Sequence, residues 1–200
     1  MQAQEKFSRP IKGDPDAVFM SVQEVAAEHV AKRLKNFESA VELCTAVGVM
    51  AIQLARYIPK VYGVDINSQR VEDAWTNARL YGVDKVEFIV GDVLNETLLQ
   101  SIKADVAVLD PDWSAMGTEK SSHTLDLDKM QPSLRQMMIL TRKHVTPNTV
   151  ARVPKMFTLD TMSEFGPHVL ESIYIDGRLK FKVAYFLPGI QDSREEAVHL

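Results

Sequence analysis

The sequence predicts an α/β protein in which helices cover both faces of a mostly parallel sheet and an antiparallel hairpin follows near the end. Short and almost wholly apolar runs alternate with segments of helical spacing from residue 39 to residue 157. Strands of this kind are typical of parallel sheets buried between helices. Farther along the chain, Asp176 and Gly177 separate two strand-like runs, which is the signal of a hairpin turn.

The spacing of the apolar residues gives the order of the elements. Seven strands are predicted, at residues 39–44, 60–65, 85–92, 104–110 and 149–157 and in the two arms of the hairpin within 168–187. Helices are predicted at residues 20–34, 47–58, 68–83, 95–103 and 128–145. The connections between parallel strands should be right-handed.

The beginning of the chain has the pattern of an irregular lead-in, residues 1–18, followed by the first helix. Ser21 and Glu24 have the spacing of a capping box, which predicts that this helix begins at Ser21. A chain of 200 residues fits one domain. We expect this domain to comprise an N-terminal lead-in with its helix, a core, and a C-terminal helix with the hairpin, at residues 1–38, 39–157 and 158–200.

The composition narrows the class of protein. Hydrophobic residues make up 46% of the chain and charged residues 25%, as in soluble globular proteins. No apolar run approaches the length of a membrane span, and the first residues lack a signal-peptide core. Cys44 is the only cysteine, which excludes an internal disulfide and predicts a cytoplasmic location. The five histidines have no zinc-site spacing, so we expect no metal.

The formal net charge of −4 neither indicates nor excludes a nucleic-acid partner, because local patches matter more than the sum. One stretch is basic and contains no acidic residue, with its charges at Lys129, Arg135, Arg142, Lys143, Arg152 and Lys155. A solvated helix face and loop is the simpler interpretation of this stretch. A surface that meets phosphates is the alternative.

Acidic residues stand at the ends of four predicted strands, namely Glu42, Asp65, Asp92 and Asp110. Ligands of open α/β sheets bind at the carboxyl ends of the strands. Asp65, at the tip of the second strand, suits the two hydroxyls of a ribose, which suggests an adenosine-containing cofactor. Each acid taken alone also has a simpler interpretation, as a helix cap or a partner of a lysine.

The loop in "ELCTAVG" limits the choice of cofactor. A dinucleotide fingerprint would need glycines at Cys44, Ala46 and Val49, and the chain has no G-x-x-x-x-G-K-[ST] run for ATP. A cofactor without phosphates needs only a tight turn, small residues and an acid near its ammonium group. Glu42 and the small residues up to Gly48 supply these features.

Several separated stretches between residues 19 and 157 carry a family resemblance: "FMSVQEVAAEHVA", "VELCTAVGVMAIQLA", "VYGVDIN", "NARLYGV", "GDV", "VLDPDW" and "VARVPKMF". In this order they resemble the class I S-adenosylmethionine-dependent methyltransferases. Within that superfamily the chain is most similar to the RNA cap guanine-N2, or trimethylguanosine synthase-like, methyltransferases. The resemblance implies a Rossmann-like fold, S-adenosylmethionine as the cofactor, residues 39–157 as its binding core, and RNA or another nucleobase-containing substrate.

The resemblance also implies roles for individual residues. The methionine end of the cofactor would lie against Glu42, Ala46 and Gly48, with Cys44 in the same loop. The ribose would be held by Asp65. The adenine would be held by Ile66, Asp92 and Val93. Asp110, Pro111, Asp112 and Trp113 match the tetrad of N-methyltransferases, which is usually Asp, Asn or Ser, then Pro-Pro, then an aromatic residue. The chain departs from the family pattern at Cys44 and Ala46, where glycines are usual, and at Asp112, where a proline is usual.

The tetrad has a chemical rationale. The lone pair of an exocyclic amine is delocalised into its ring, so acceptors placed on the N–H groups raise its nucleophilicity and stabilise the developing positive charge. The Asp110 carboxylate and the Pro111 carbonyl are suitable acceptors, and Trp113 offers a stacking face worth about 1–3 kcal/mol per base. We expect Asp112 either to approach Asp110 and raise a pKa or to face solvent.

Three other interpretations remain open at this point. The tetrad is also a plausible strand-ending turn with an aromatic plug. The acceptor could be a small molecule or a protein side chain instead of RNA. The altered cofactor loop could also belong to a binding protein without activity.

Overall fold

The computed structural model describes residues 6–114 and 123–200, which belong to two compact units, Met1–Val106 and Ala107–Leu200. The elements of the first unit are α1 (Pro15–Met20), α2 (Glu24–Arg33), β1 (Ser39–Leu43), α3 (Val49–Ala55), β2 (Lys60–Asp65), α4 (Ser68–Leu80), β3 (Val86–Val90) and α5 (Glu96–Ser101). Those that follow are β4 (Val106–Leu109), which begins at the boundary, α6 (Leu134–His144), β5 (Thr149–Val153), a 3-10 helix (Asp160–Phe165), β6 (Val169–Ile175), β7 (Arg178–Phe186) and β8 (Arg194–His199).

The sheet of the first unit is parallel, as the sequence predicts. β2 lies between β1 and β3 and pairs in parallel with both. The register places Leu43 beside Val64 and Asp65 beside Val90, so the three carboxyl ends share one edge. The predicted loop, ribose and adenine residues follow these three ends in the sequence.

In the second unit the strand order is β4-β5-β7-β6-β8. β4 and β5 are parallel, whereas β7 is antiparallel to both β5 and β6. Asp176 and Gly177 both have positive φ, 52° and 70°, which is what a two-residue turn between twisted strands requires. The predicted hairpin is therefore confirmed.

The described residues, 6–114 and 123–200, contain one strand more than the seven that the sequence predicts. β8 pairs in parallel with β6 and is the last strand in the order of its sheet. Its sequence "REEAVH" lacks an apolar alternation because most of its side chains are exposed. Charged residues at the edge of a sheet oppose pairing with other chains. Neither the strand propensity of these residues nor the spacing of apolar residues therefore predicts β8.

The capping box predicted for the first helix is wrong. α2 begins at Glu24, and its N-cap, Gln23, makes no side-chain capping bond. Ser21 instead ends α1, a helix within the region predicted to be largely irregular, and its hydroxyl donates to Ala17 O at 2.7 Å. Glu24 accepts hydrogen bonds from the backbone and the hydroxyl of Ser8. Both residues of the predicted capping box thus bind residues of the lead-in. The spacing of residues in the sequence does not predict these contacts.

Several elements are shorter than predicted, most clearly α6 and β5. α6 begins at Leu134 rather than residue 128, because the Ser133 side chain caps it by accepting from Gln136 N at 3.2 Å. β5 ends at Val153 rather than residue 157. The predicted C-terminal helix is a single 3-10 segment, Asp160–Phe165.

The described part of the lead-in packs against the first unit, while residues 1–5 lie outside the described residues. Asn77, which is fully buried in α4, accepts from Lys12 N at 2.8 Å and donates to Lys12 O at 2.8 Å and Val47 O at 3.0 Å. A Cβ at Gly13 would lie 2.3 Å from Val47 Cγ1, so only glycine allows this close approach. The lead-in is therefore fastened to the loop that precedes α3.

Across residues 6–114 and 123–200, none of the helices combines the length and the apolar character needed to cross a membrane.

Candidate cofactor and acceptor sites

The loop between β1 and α3 keeps a glycine-like backbone although glycine stands at only one of three positions. Cys44, Ala46 and Gly48 have φ values of 71°, 47° and 85°. For a residue with a Cβ, the left-handed region costs about 1–2 kcal/mol. The loop thus adopts the left-handed backbone at two positions where the residue has a Cβ.

Hydrogen bonds to the neighbouring strand hold the loop in this conformation. Val64 O at the end of β2 accepts from both Cys44 N and Thr45 N at 2.9 Å. Asp65 Oδ2 accepts from Ala46 N at 2.8 Å. Gly48 N donates to Thr45 O at 2.8 Å and closes the turn into α3. These bonds offset the strain of the two left-handed side-chain-bearing residues.

Glu42 supplies the cap that α3 lacks. The N-cap residue of this helix, Gly48, has no side chain, and Glu42 Oε2 accepts from Ala51 N at 2.9 Å and from the Thr45 hydroxyl. A carboxylate at this position also complements the positive end of the helix dipole. Because Glu42 is only 2% exposed, its observed role is to fix the loop. A contact of Glu42 with the ammonium group of a cofactor stays a prediction.

Ala46→Gly should raise the free energy of unfolding by up to about 1 kcal/mol, because it removes a Cβ from a left-handed position. Ala55→Gly, at the end of α3 with ordinary helical geometry, is the matched control and should lower it by about 1 kcal/mol. Urea unfolding of both variants checks the prediction. An equal loss of stability in both would mean that the loop is not strained.

Asp65 lies at the end of β2 with its carboxylate almost fully buried. Its Oδ2 accepts from Ala46 N at 2.8 Å and its Oδ1 from Asn67 N at 3.0 Å. A carboxylate offers about four accepting lone pairs, so two backbone bonds do not exhaust it. Asn67, not Asp65, caps α4, since its side chain accepts from Gln69 N and Arg70 N. The simpler interpretation of Asp65 as a helix cap is therefore wrong.

The residues predicted to meet the adenine differ in exposure. Ile66, directly after β2, is 71% exposed although it is apolar. Asp92 is exposed, and its Oδ1 accepts from Leu94 N at 2.8 Å. Val93 beside it is buried. Asn95 caps α5 through Leu98 N, so the helix-cap interpretation of Asp92 is also wrong. An exposed apolar side chain and an exposed acid fit the flat face and the amino edge of a base.

In the second unit, Asp110 follows β4 directly and forms an ion pair that the sequence does not predict. Arg152 Nε, on β5, donates to Asp110 Oδ1 at 2.7 Å. The side chains of Asp110 and Arg152 are only 10% and 12% exposed. Removing one partner of such a buried pair typically costs about 3–5 kcal/mol, since the other charge is left uncompensated.

Trp113 shares this arginine with Asp110. The Arg152 guanidinium carbon lies 4.6 Å from the centre of the Trp113 ring and 5.4 Å from that of Phe181 on β7. Trp113 Nε1 donates to Arg152 O at 3.1 Å, which fixes the indole against β5. His123 meets Trp113 edge to face at 5.4 Å. Trp113 is half-buried, so it is not a fully enclosed aromatic plug.

The other two residues of the tetrad are held by their own loop. Asp112 Oδ1 accepts from Ser114 N at 2.8 Å and from the Ser114 hydroxyl at 2.7 Å. Its backbone pairs with Gln131 through two hydrogen bonds of 2.9 and 3.0 Å. Pro111 is buried. Asp112 is thus half-exposed and bound to Ser114, so its carboxylate is engaged by its own loop.

Much of the charge in the basic stretch is paired within the chain, so a phosphate-binding surface receives little support. Arg135 binds Asp128 and Glu164, and these partners raise its pKa above the ordinary value. Burial lowers the pKa of Arg142, whose Nη1 donates to Phe165 O at 2.8 Å. Further pairs join Lys129 to Asp126 and Arg152 to Asp110. The simpler interpretation of a structural and solvated stretch is favoured.

Sequence reasoning missed Arg152, Phe181 and Thr45 as parts of these sites. Arg152 did carry a signal, because a charged residue inside the apolar run "TVARV" needs a buried partner. Phe181 and Thr45 carried none, since an aromatic residue in a hairpin arm and a threonine in a turn are ordinary.

Comparison with known proteins identifies the family. A family model described as RNA cap guanine-N2 methyltransferase matches residues 37–187. An uncharacterized RNA methyltransferase of Clostridium tetani is 40% identical over 91 residues, covering 44% of this chain and 19% of that protein. One from Halalkalibacterium halodurans is 37% identical over 81 residues, covering 39% and 18%. The matched segments thus span about a fifth of the length of these relatives.

Solved structures share the fold. A candidate methyltransferase of Porphyromonas gingivalis W83 matches with a TM-score of 0.70 over 87% of this chain and 42% of its own, at 14% identity. TrmK of M. capricolum, solved with S-adenosylhomocysteine, matches with a TM-score of 0.58 over 84% of this chain and 70% of its own, at 13% identity. These similarities establish the predicted Rossmann-like fold. With the family match over most of its length, the chain belongs to the RNA cap guanine-N2 methyltransferase family of S-adenosylmethionine-dependent enzymes.

Proposed function

We propose that this chain is an S-adenosylmethionine-dependent N-methyltransferase that acts on an exocyclic amine of an RNA base, of the guanine-N2 type. The observation that carries the proposal is the Asp110–Trp113 segment. It follows a buried strand, pairs its first carboxylate with Arg152 and keeps an indole half-exposed beside it. The family match supports the reaction class, and the names of the relatives support RNA as the substrate.

The residues of the first unit fit the cofactor. The left-handed loop at Cys44 and Ala46 presents small side chains, Asp65 retains accepting capacity for two ribose hydroxyls, and Ile66 exposes an apolar face. Asp92 supplies an exposed acceptor for the adenine amino group. When bound, S-adenosylmethionine supplies an electrophilic methyl group on a sulfonium.

The residues of the second unit fit an amine on a flat ring. In this proposal the Asp110 carboxylate and the Pro111 carbonyl accept the N–H bonds of the amine and orient its lone pair. The fixed φ of proline holds its carbonyl in place, and proline has no N–H of its own to compete. Trp113 stacks on the ring and sets the plane of the acceptor. The protein thus contributes alignment and electrostatic stabilisation.

Calorimetry and a transfer assay test the proposal in two steps. S-adenosylmethionine and S-adenosylhomocysteine should both bind to the purified chain. Methyl-labelled cofactor should then transfer label to RNA, and not to a protein mixture or to free small-molecule amines. Absence of binding would leave a non-catalytic protein as the correct alternative, and label in protein or small molecules would establish the other acceptor class. The predicted cytoplasmic location stays a prediction.

A further inference from the structure

The ion pair between Asp110 and Arg152 bears on the charge of the acceptor base. We infer that this site takes an uncharged base and does not favour a cationic one, and that Arg152 determines this preference. The inference rests on the proposed function, since it assumes that a base meets Trp113 and Asp110. It concerns the guanine of an RNA cap directly, because methylation at N7 makes that base positively charged.

An aromatic ring face and a carboxylate both attract a cation. An N7-methylated guanine stacked on an indole gains a cation–π contribution, and a nearby unpaired carboxylate adds to it. A tetrad with an acid and an aromatic residue alone would therefore favour a charged base. This chain differs because Arg152 already engages both groups.

Arg152 takes up the attraction that a cationic base would use. Its guanidinium carbon lies 4.6 Å from the Trp113 ring centre and 5.4 Å from that of Phe181, and its Nε lies 2.7 Å from Asp110 Oδ1. The charge of Asp110 is thereby compensated within the protein. A second cation on the indole would meet the positive charge of Arg152 through the ring, in a half-buried site where water screens poorly.

Asp112 does not restore the attraction for a cation that Asp110 loses through its pairing with Arg152. Its carboxylate accepts two hydrogen bonds from Ser114 and is half-exposed, so solvent screens it more than Asp110. Of the two carboxylates of the tetrad, one is therefore paired with Arg152 and the other is partly solvated and bound to Ser114. A neutral guanine stacks on such a site without opposing any of these charges.

Binding of two nucleotides of nearly equal shape tests the inference. The chain has two tryptophans, and Trp75→Phe leaves Trp113 as the only indole reporter. In this background, quenching of Trp113 fluorescence gives the dissociation constants of guanosine monophosphate and 7-methylguanosine monophosphate in mildly acidic buffer. Their ratio cancels the shared ribose and phosphate contacts. We expect the parent protein to bind the neutral nucleotide at least as tightly as the charged one.

Charge variants should move this ratio in opposite directions. Arg152→Met should shift it about tenfold towards the 7-methylated nucleotide, and Asp110→Asn should shift it about tenfold away. Arg152→Lys keeps the positive charge, so the ratio should stay near the parent value. The double variant of Arg152→Met with Asp110→Asn should also leave the ratio near the parent value. Asp112→Asn is the matched control for a more solvated carboxylate and should change it least.

Several results would overturn the inference. If Arg152→Met tightens both nucleotides equally, the arginine merely competes for the indole and does not discriminate charge. If Arg152→Met does not fold, Asp110→Asn and the double variant still decide the matter. An unchanged ratio in Asp110→Asn, or a ratio in the double variant that departs from the parent value, would contradict the inference. Failure of both nucleotides to quench Trp113 while RNA is still methylated would refute the inference but not the proposed function. Absence of both quenching and transfer would refute both.

Discussion

Asp110→Ala should lower the rate of methyl transfer by at least about 100-fold while the dissociation constant of S-adenosylmethionine changes by less than about threefold. The carboxylate is proposed to accept an N–H of the acceptor amine, and its removal takes away a contact that strengthens as the amine becomes positively charged. The residues predicted to hold the cofactor lie elsewhere in the sequence and keep their contacts. Transfer of labelled methyl groups to RNA and calorimetry with the cofactor measure the two effects.

This variant also leaves the Arg152 charge without its partner, which could lower stability by several kcal/mol. The double variant of Asp110→Ala with Arg152→Met removes that unpaired charge and serves as the control. Urea unfolding should show that the double variant recovers stability, whereas transfer should stay low in both. Recovery of transfer in the double variant would show that the loss came from the unpaired arginine. Full activity of Asp110→Ala would refute the proposed role of the tetrad.

Asp65→Ala should raise the dissociation constant of S-adenosylmethionine about 100-fold. The substitution removes the proposed acceptor of the ribose hydroxyls and also the bonds that Asp65 accepts from Ala46 N and Asn67 N. Ala46 then loses one of the contacts that hold its left-handed backbone. Calorimetry should detect the weaker binding, and excess cofactor should restore much of the transfer rate.

Asp73→Ala is the matched control for Asp65→Ala. Asp73 is also a buried acid of the first unit, but it lies within α4 and pairs with Lys12 at 3.1 Å. Its loss should lower stability and leave cofactor affinity nearly unchanged. Equal loss of affinity in both variants would mean that affinity follows general stability of the unit and not a ribose contact at Asp65.

The fold was largely predictable because its core strands are buried on both faces and therefore carry continuous apolar runs. β1, β2 and β4 could be located in this way. The hairpin followed from Asp176 and Gly177 between two strand-like runs. β8 was not predictable, since an exposed edge strand contains mainly charged and polar residues. The start of α2 was not predictable either. The side chains of Ser21 and Glu24 contact Ala17 and Ser8, which belong to a segment with no periodic pattern.

The candidate site was predictable at its strand ends and not in its pairings. Asp65 and Asp110 could be placed because acids directly after apolar strands are conspicuous in a sequence. The partner of Asp110 is 42 residues away on another strand, so only the folded arrangement brings Arg152 to it. The left-handed backbone at Cys44 and Ala46 also required the structure, because these residue types normally disfavour it.

The identity of the methylated nucleoside tests the central claim most directly. RNA incubated with the chain and methyl-labelled S-adenosylmethionine can be digested to nucleosides and separated by chromatography with mass spectrometry. The proposed function predicts label in N2-methylguanosine, formed by the parent chain and lost with Asp110→Ala. Label on a ribose hydroxyl, on a ring carbon or on no nucleoside at all, from a chain that binds the cofactor, would contradict it.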